Sequence, residues 1–333
     1  MRKKYDAPFW DLHRVDLQVA LYERARQLGV EIRLGARVKG VDFEAPSLCL
    51  ENGETLTADL IVAADGLWSK CRERFLAVKG TSDEPLPTGD LAYRIVLKLE
   101  DLEGDRELYD WVANSSCNFW IGPNSHVVAY SLRGGTMFNI VLLVPDTLPP
   151  GVARQPGSLD EMRAIFTDWD PVLNRFLDRV KTVDKWKLMH RSELDSWTSE
   201  KSNFVFLGDS AHSMLPYLAQ GANSSLEDGA VLGYVLGALK RKDQLPQALA
   251  LFQRLRKKRG EAIVRETFAQ RKDFHMLNGA EQQARDDLML SQLGKEIDTK
   301  FPSRWQCPVV QPWLYGYEAK LETEAALKES PYT

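Results

Sequence analysis

The apolar residues of this chain recur with two different spacings, one helical and one alternating. From Asp11 to Leu28 they lean toward helical spacing, and Gly29 supplies a stop signal at the C-terminal end. Residues 245–274 have a similar amphipathic pattern, and a further long helix is predicted to begin near Asn223. The pattern therefore predicts helices toward both ends of the chain.

Segments with a period of two predict strands between these helices. Residues 30–34 alternate first, and Asn52-Gly53 is a turn signal inside the meander that follows. The strands of this meander are expected over residues 37–43, 47–51 and 54–56. Residues 60–64 are apolar throughout, which is typical of a strand covered on both faces inside a layered α/β domain.

The middle of the chain is rich in β-branched and aromatic residues, separated by turn signals such as Gly134-Gly135. The strands predicted there cover residues 91–99, 118–121, 126–132 and 137–144. Two helices are predicted next, one behind a capping box at Ser158 and one over 171–180, and residues 204–207 form another buried strand. The chain is thus predicted to be α/β, with residues 86–190 inserted as a sheet domain between 1–85 and 191–333.

Composition and charge remove several classes of partner. The 333 residues include 43 basic and 47 acidic side chains, and the net charge of -4 gives no field for a nucleic acid or an anionic membrane. No apolar run approaches the ~20 residues that span a bilayer, and the first residues lead into no apolar signal segment. A cytoplasmic protein is the expectation.

Cysteine and histidine spacing indicates neither disulfides nor a metal. The four cysteines are scattered, so we expect free thiols. The five histidines show no ligand spacing with Cys, Asp or Glu, and no metal site is predicted.

One candidate motif follows the apolar strand at residues 60–64. Asp65-Gly66 stands where that strand ends, and open α/β sheets bind ligands at the carboxyl ends of their strands. Glycine allows close approach of a ligand to the backbone, and Ser69 is placed to cap a short helix that carries Arg72. The alternative interpretation is a plain strand, turn and helix.

A second motif follows the strand at residues 204–207. It runs from Gly208-Asp209 through His212 to Pro216, and the loop continues into Gly221-Ala222-Asn223 at the start of the long helix. The amides and dipole of a helix N-terminus hold negative charge. Gly229, Gly233 and Gly237 lie four apart on one face, where another backbone or a cofactor is expected to pack closely. A proline-marked loop before a core helix is the alternative.

Together these motifs resemble the D-G-x-x-S-x-x-R and G-D-x-A-H-x-x-x-P patterns of group A flavoprotein monooxygenases, in their salicylate-hydroxylase-like branch. The segments at 13–17, 120–130 and 313–319 are also similar to that family. The resemblance implies a p-hydroxybenzoate hydroxylase-like fold: an incomplete Rossmann-type FAD-binding domain with an inserted mixed β-sheet substrate domain. It further implies FAD as cofactor, NAD(P)H as co-substrate, and hydroxylation of a small aromatic, salicylate-like substrate with O2.

The resemblance also implies roles for individual residues. Asp65, Gly66 and Arg72 would lie near the FAD pyrophosphate, and Asp209 would bind the ribityl chain. The remaining residues implied to contact the flavin are Arg14, Pro216, Gly221, Ala222 and Asn223.

Residues facing the substrate are less sharply indicated. His126 and His212 are candidates for a base that removes a phenolic proton, and Tyr93 and Arg94 are candidates for contact with the ring. A structural sheet histidine, a loop-fixing His212 and ordinary strand-surface residues are the alternatives.

One expected feature of the family is absent from these residues. No G-x-G-x-x-G fingerprint occurs in the 333 residues, although relatives bind the ADP pyrophosphate through it. Residue 1 falls just upstream of a helix that relatives reach after that unit, so a natural short form or a late start is expected. A non-catalytic remnant that binds a small molecule or partner without stable flavin is the rival hypothesis. Flavin-dependent halogenases are a third, weakened because no W-x-W-x-I-P stretch occurs, and another flavin reductase remains open.

Overall fold

The computed structural model describes residues 1–333 and divides them into two compact units. The first unit comprises Met1–Arg33, Pro87–Leu188 and Phe274–Asp286, and the second comprises Leu34–Leu86, Met189–Asp273 and Asp287–Thr333. Residues 1–33 thus group with the large sheet and not with residues 34–86. The predicted division into 1–85, 86–190 and 191–333 stays a prediction.

Helices and strands alternate irregularly along the chain. The helices are α1 Arg2–Tyr5, α2 Arg14–Gln27, α3 Lys70–Val78, α4 Arg106–Ala113, α5 Leu159–Ile165, α6 Pro171–Asp178, α7 Asp209–His212, α8 Gly221–Gly237, α9 Leu245–Phe274, α10 Ala280–Ser291, α11 Gln311–Tyr315 and α12 Ala319–Glu329. The strands are β1 Val38–Asp42, β2 Ser47–Leu50, β3 Thr55–Thr57, β4 Ile61–Ala63, β5 Leu86–Lys98, β6 Cys117–Gly122, β7 Ser125–Leu132, β8 Met137–Pro145, β9 Arg154–Pro156, β10 Asp184–His190 and β11 Phe204–Phe206.

The first unit is built on a six-stranded sheet with strand order β6-β7-β8-β5-β10-β9. Its central strands pair in antiparallel fashion over long registers, from Asp90 opposite Pro145 to Lys98 opposite Met137. Side chains on one face of this sheet and apolar side chains from α4, α5 and α6 form a single buried cluster. The sheet is therefore covered on that face, because alternate strand residues such as Leu91, Ile95 and Ile140 point into the cluster.

Polar side chains cap the helices that cover this sheet. Ser158 Oγ accepts the amide of Glu161 at 3.2 Å at the start of α5, as predicted from the capping box. Asp105 caps α4, and its carboxylate also accepts Arg175 of α6. These contacts stabilise helices that are each only about two turns long.

The second unit contains two small sheets around an aromatic core. Strands β4 and β11 form a two-stranded parallel sheet, and β1, β2 and β3 form an antiparallel meander. Phe43, Phe75, Phe204 and Phe206 pack together with ring centroids 4.8–6.1 Å apart; four of the five ring pairs are edge to face, and Phe75 and Phe204 are stacked. Residues of α8 and α9 extend this cluster, which buries all of β11 and one face of β4.

Three expectations from the sequence are corrected. Residues 30–34 form no strand, because alternation alone supplies no partner for backbone hydrogen bonds, and Leu34 is 81% exposed. The strand at residues 60–64 is covered on one face only, since Val62 is 41% exposed. A Cβ placed on Gly229, Gly233 or Gly237 would meet no atom within 4 Å, so no other part of this chain packs closely against these three glycines of α8.

Other expectations hold. The helix at 245–274 and the four main strands of the large sheet lie close to their predicted positions. The four cysteines are free thiols, as predicted. No helix combines the length and the apolar character needed to cross a bilayer.

Candidate functional site

The two sequence motifs begin at the same edge of the parallel strand pair. Val62 is paired with Val205, and the amide of Leu207 donates to the carbonyl of Ala63 at 3.1 Å. Because the strands are parallel, Asp65 and Asp209 both follow carboxyl ends that meet at one edge. Both side chains are exposed.

The turn at Asp65 is organised by its own carboxylate. Oδ1 accepts the hydroxyl of Ser69 at 2.5 Å, and Oδ2 accepts the amide of Cys71 at 3.0 Å. Ser69 Oγ in turn accepts the amide of Arg72 at 2.9 Å and caps α3, as the motif predicts. Gly66 has φ +76°, and nothing stands within 4 Å of its Cβ direction, so the backbone is open there.

Arg72 joins the first motif to the second. Its side chain is 1% exposed, and Nη1 donates to the carbonyls of Ser210 and Ala211 at 3.2 Å. Nη2 donates to the carboxylate of Asp83 and to the carbonyl of Ser192. Burial lowers the pKa of Arg72, while the contact with Asp83 opposes that effect. The buried guanidinium thus links the two loops through hydrogen bonds and does not reach solvent.

The loop at Gly208-Asp209 is held from behind by Asp228 of α8. The buried Oδ2 of Asp228 accepts the amide of Gly208 at 2.8 Å and lies 2.6 Å from Nε2 of His212. Oδ1 accepts Nε of Arg256 at 2.8 Å. Burial alone would raise the pKa of Asp228, but the His212 hydrogen bond, Arg256 and the Gly208 amide outweigh it and hold that pKa below its ordinary value. His212 therefore fixes this loop and faces the core.

Gly208 has a conformation and a contact that favour glycine. Its φ is +62°, and a Cβ there would lie 2.9 Å from the hydroxyl of Ser225 on α8. The tight approach lets α8 support the turn that presents Asp209.

The N-terminus of α8 has no side-chain cap. Gln220 occupies the N-cap position without a capping hydrogen bond, and its own side chain is buried. Ala222 and Asn223 are exposed, and the Cβ direction of Gly221 meets only Met214 Cγ at 3.9 Å. Pro216 is exposed at the start of the preceding turn. These backbone amides can therefore receive an acceptor from outside the chain.

The remaining predicted residues belong to the first unit. Arg14 is the exposed first residue of α2, and α2 is tied to the sheet by a bidentate pair in which Arg133 donates to Asp16 at 2.6 and 2.8 Å. Arg94 on β5 is exposed on the face opposite the core, 5.7 Å from the Trp186 ring centroid. Partial burial, and secondarily the positive charge of Arg14, lower the pKa of Arg94.

Tyr93 points away from Arg94, because adjacent strand residues face opposite sides of a sheet. Its side chain is fully buried in the helix-covered core. Burial raises the pKa of Tyr93, although Lys185, 5.7 Å from its ring centroid, opposes this. The structure therefore separates two residues that the sequence treated as a pair.

His126 lies on the Arg94 face of the sheet and is 1% exposed. Its Nδ1 is 2.6 Å from Nε2 of His275, the residue that follows α9. The rings of His126 and Phe274 pack edge to face, with their centroids 5.4 Å apart. Nδ1 of His275 lies 3.9 Å from Oδ2 of the buried Asp90. Burial, and secondarily His275, lower the pKa of His126 well below its usual range, so the imidazole is neutral at physiological pH.

Sequence reasoning missed Asp228, His275 and Asp90. Asp228 lies on α8, after the motif whose loop it supports. Its acidic side chain stands close to the apolar residues of that helix, which could have indicated a buried carboxylate. His275 and Asp90 are separated by 185 positions, from residue 90 to residue 275, and no local pattern links them. Only the folded sheet brings them near His126.

Comparison with known proteins gives consistent matches. A family model described as an FAD binding domain matches residues 8–267. The chain is 51% identical over 328 residues to the FAD-dependent monooxygenase OpS4 of Beauveria bassiana, an alignment that covers 98% of this chain and 76% of that protein. It is 30% identical over 319 residues to a 3-hydroxybenzoate 6-hydroxylase of Polaromonas naphthalenivorans, covering 95% of this chain and 73% of the relative.

A solved structure supports the fold. A salicylate hydroxylase in complex with its substrate superposes with a TM-score of 0.76 at 24% identity, covering 95% of this chain and 75% of that one. At that identity the likeness shows the shared architecture.

Proposed function

The chain belongs to the FAD-binding family of FAD-dependent monooxygenases, and on that basis we propose that it hydroxylates a small aromatic substrate with O2 and NAD(P)H. The name of the 3-hydroxybenzoate 6-hydroxylase relative supports an aromatic ring that already carries a hydroxyl group. Hydroxylation by a flavin requires a two-electron donor that reduces the flavin, and NAD(P)H, a hydride donor, is the co-substrate that we propose.

The residues at the edge of the parallel strands fit part of an FAD molecule. An exposed carboxylate at Asp209 suits the hydroxyl groups of a ribityl chain, since a carboxylate accepts hydrogen bonds. The uncapped amides of Gly221, Ala222 and Asn223 suit the carbonyl edge of a flavin ring, because a helix N-terminus stabilises negative charge. The donor and acceptor set thus matches two parts of the cofactor.

The neighbouring residues have supporting roles in this proposal. Asp65 and the open backbone at Gly66 stand at the same sheet edge and are proposed to border the cofactor, as is the exposed Pro216. Arg72 acts from within the core by holding the two loops together. Arg14 is also proposed as a cofactor contact.

When bound, FAD supplies the transfer of electrons from NAD(P)H to oxygen and delivers an oxygen atom to the ring. The protein's own contribution is to hold a substrate and manage its proton. We propose that His126 accepts the proton of a phenolic hydroxyl, which makes the ring more electron-rich, and that Arg94 pairs with the resulting negative charge. The neutral imidazole of His126 has a nitrogen lone pair that can accept this proton, while burial of the ring opposes the charged form that results.

The single observation that carries this proposal is the shared strand edge at which Asp209 and the uncapped start of α8 stand. It is tested by titrating FAD into the protein and following flavin fluorescence. Saturable binding is expected, and Asp209→Ala is expected to weaken it about tenfold or more, because a hydrogen bond to a charged group contributes about 1.5–3 kcal/mol.

Asp59→Ala is the matched control, since Asp59 is an exposed carboxylate of the same unit that pairs with Lys242 at 2.8 Å. Its affinity for FAD is expected to equal that of the unmodified chain. A protein that takes up no FAD under any condition would contradict the proposal and favour the rival, a protein that binds a small molecule or partner without flavin.

A further inference from the structure

Three polar residues, His126, His275 and Asp90, lie in a row on one face of the large sheet. His126 on β7 and Asp90 on β5 face the same side of the sheet, because His126 and Ala92 both pair with Leu143 of the strand between them. His275 stands beside both. Its backbone carbonyl accepts the amide of Asn124 at 3.2 Å, which anchors it to the loop before β7.

The contacts in this row favour one placement of the hydrogens over the other. A distance of 2.6 Å between His126 Nδ1 and His275 Nε2 requires one hydrogen between them, so one ring donates and the other accepts. The Asp90 carboxylate, 3.9 Å from the other nitrogen of His275, favours the hydrogen on that Nδ1. Nε2 of His275 is then the acceptor and Nδ1 of His126 is the donor.

We propose that Asp90 and His275 are positioning residues that fix His126 in its Nδ1–H tautomer, so that its Nε2 is the proton-accepting nitrogen. The inference rests on the proposed function of His126 as the base that receives the phenolic proton. In that step the hydroxyl O–H bond breaks, its electron pair stays on the substrate oxygen, and the proton forms a new bond to Nε2. The positive charge on His126 is then shared toward His275, with Asp90 behind it.

The surroundings of the row suit such a function. His126, His275 and Asp90 are all at most 9% exposed, so hydrogen bonds and charges there are weakly screened by water. The strand neighbours of His126 are the apolar Ile121 and Leu143, and Phe274 packs against its ring. Asp90 and His275 are thus the titratable groups that face His126 from the adjoining β5 and the end of α9.

The test is nitrogen NMR of the full chain with 15N-labelled histidine, because imidazole 15N shifts distinguish protonated from unprotonated nitrogens. The chain has five histidines, which substitution allows to be assigned. The unmodified protein is expected to show His126 as the Nδ1–H form. His275→Leu removes the acceptor and is expected to convert His126 to a mixture of tautomers or to the Nε2–H form. His275→Gln retains an oxygen acceptor and is expected to restore the Nδ1–H form.

Phe274→Leu serves as the packing control, since it changes the neighbour of His126 without removing the hydrogen bond, and it is expected to leave the tautomer unchanged. Asp90→Asn removes the charge and is expected to lower the pKa of the histidine pair. An Nε2–H form of His126 in the unmodified protein would overturn the proposal, whether or not any variant folds. So would a His275→Leu spectrum with the original tautomer.

The measurement uses neither FAD nor substrate. Failure here with normal FAD binding would therefore reject the positioning role alone. Loss of FAD binding with the expected tautomer would reject the proposed function instead.

Discussion

At the scale of single residues, the candidate site depends on charges buried behind it. The side chains of Arg72 and Asp228 are buried, yet each forms hydrogen bonds to a loop that carries an exposed site residue. Asp228 is the more heavily committed of the two, because one carboxylate receives His212, Arg256 and the Gly208 amide. Removing one member of such a group leaves the others desolvated without compensation.

Substitution of Asp228 by asparagine is expected to lower the free energy of unfolding by about 3 kcal/mol, near the lower end of the range for breaking a buried ion pair. Arg256 keeps a second carboxylate, Glu227, 2.8 Å from its Nη1, which limits the loss. Urea unfolding at pH 7 measures the change. Asp243→Asn, at an exposed surface pair with Arg241, is the control and is expected to leave the free energy of unfolding almost unchanged.

The same aspartate predicts a pH dependence. Its pKa is depressed in the folded protein, so its ionised form stabilises the fold at every pH above the unfolded-state pKa of about 3.9. That contribution is lost as the pH falls through the lower, folded-state pKa. The difference in unfolding free energy between the unmodified protein and Asp228→Asn is therefore expected to narrow as the pH falls below about 4. A difference that widens toward low pH would contradict the assignment.

At the scale of elements, two helices use glycine for opposite reasons. Gly233 of α8 is exposed, and nothing lies within 4 Å of its Cβ direction. Gly260 of α9 is buried, and a Cβ there would lie 3.0 Å from the His212 ring and 3.1 Å from Trp197. The first glycine contributes only backbone freedom, whereas the second makes room for the histidine that holds the site loop.

Alanine substitution at these two positions is expected to change stability in opposite directions. Gly233→Ala is expected to raise the free energy of unfolding by about 0.5–1 kcal/mol, because alanine loses less backbone entropy in a helix. Gly260→Ala is expected to lower it by about 1–3 kcal/mol through overpacking. Urea denaturation of both variants measures the pair. A destabilising effect at Gly233 would show that its face is packed against something when the protein is folded.

At the scale of the whole molecule, what the sequence predicted was mostly local. The Ser69 cap, the β-strands of the large sheet and the start of α8 follow from residues close in sequence, and the structure confirms them. The comparisons confirm the family and the FAD-binding fold. Both could be predicted because the motifs that indicate them are short and occur in a fixed order along the chain. Contacts across the chain were out of reach: alternation at 30–34 indicated a strand that finds no partner, and nothing near Asp90 pointed to His275.

Two separate cores give the whole molecule its last prediction. The apolar cluster under the large sheet and the cluster around the parallel strands share no residue. Leu142 is fully buried in the first and Leu249 in the second, so they form a matched pair. Truncation of either leucine to alanine is expected to cost about 2–5 kcal/mol.

Because each cluster lies inside one unit, each substitution is expected to lower the stability of that unit alone. Hydrogen exchange followed by mass spectrometry resolves the two. Leu142→Ala is expected to speed exchange in β5, β7 and β8 while β4, β11 and α8 keep their protection, and Leu249→Ala is expected to give the reverse. If either substitution instead lowered protection equally everywhere, unfolding would be cooperative across all 333 residues. Any core substitution would then also lower the stability of the strand edge that carries Asp209.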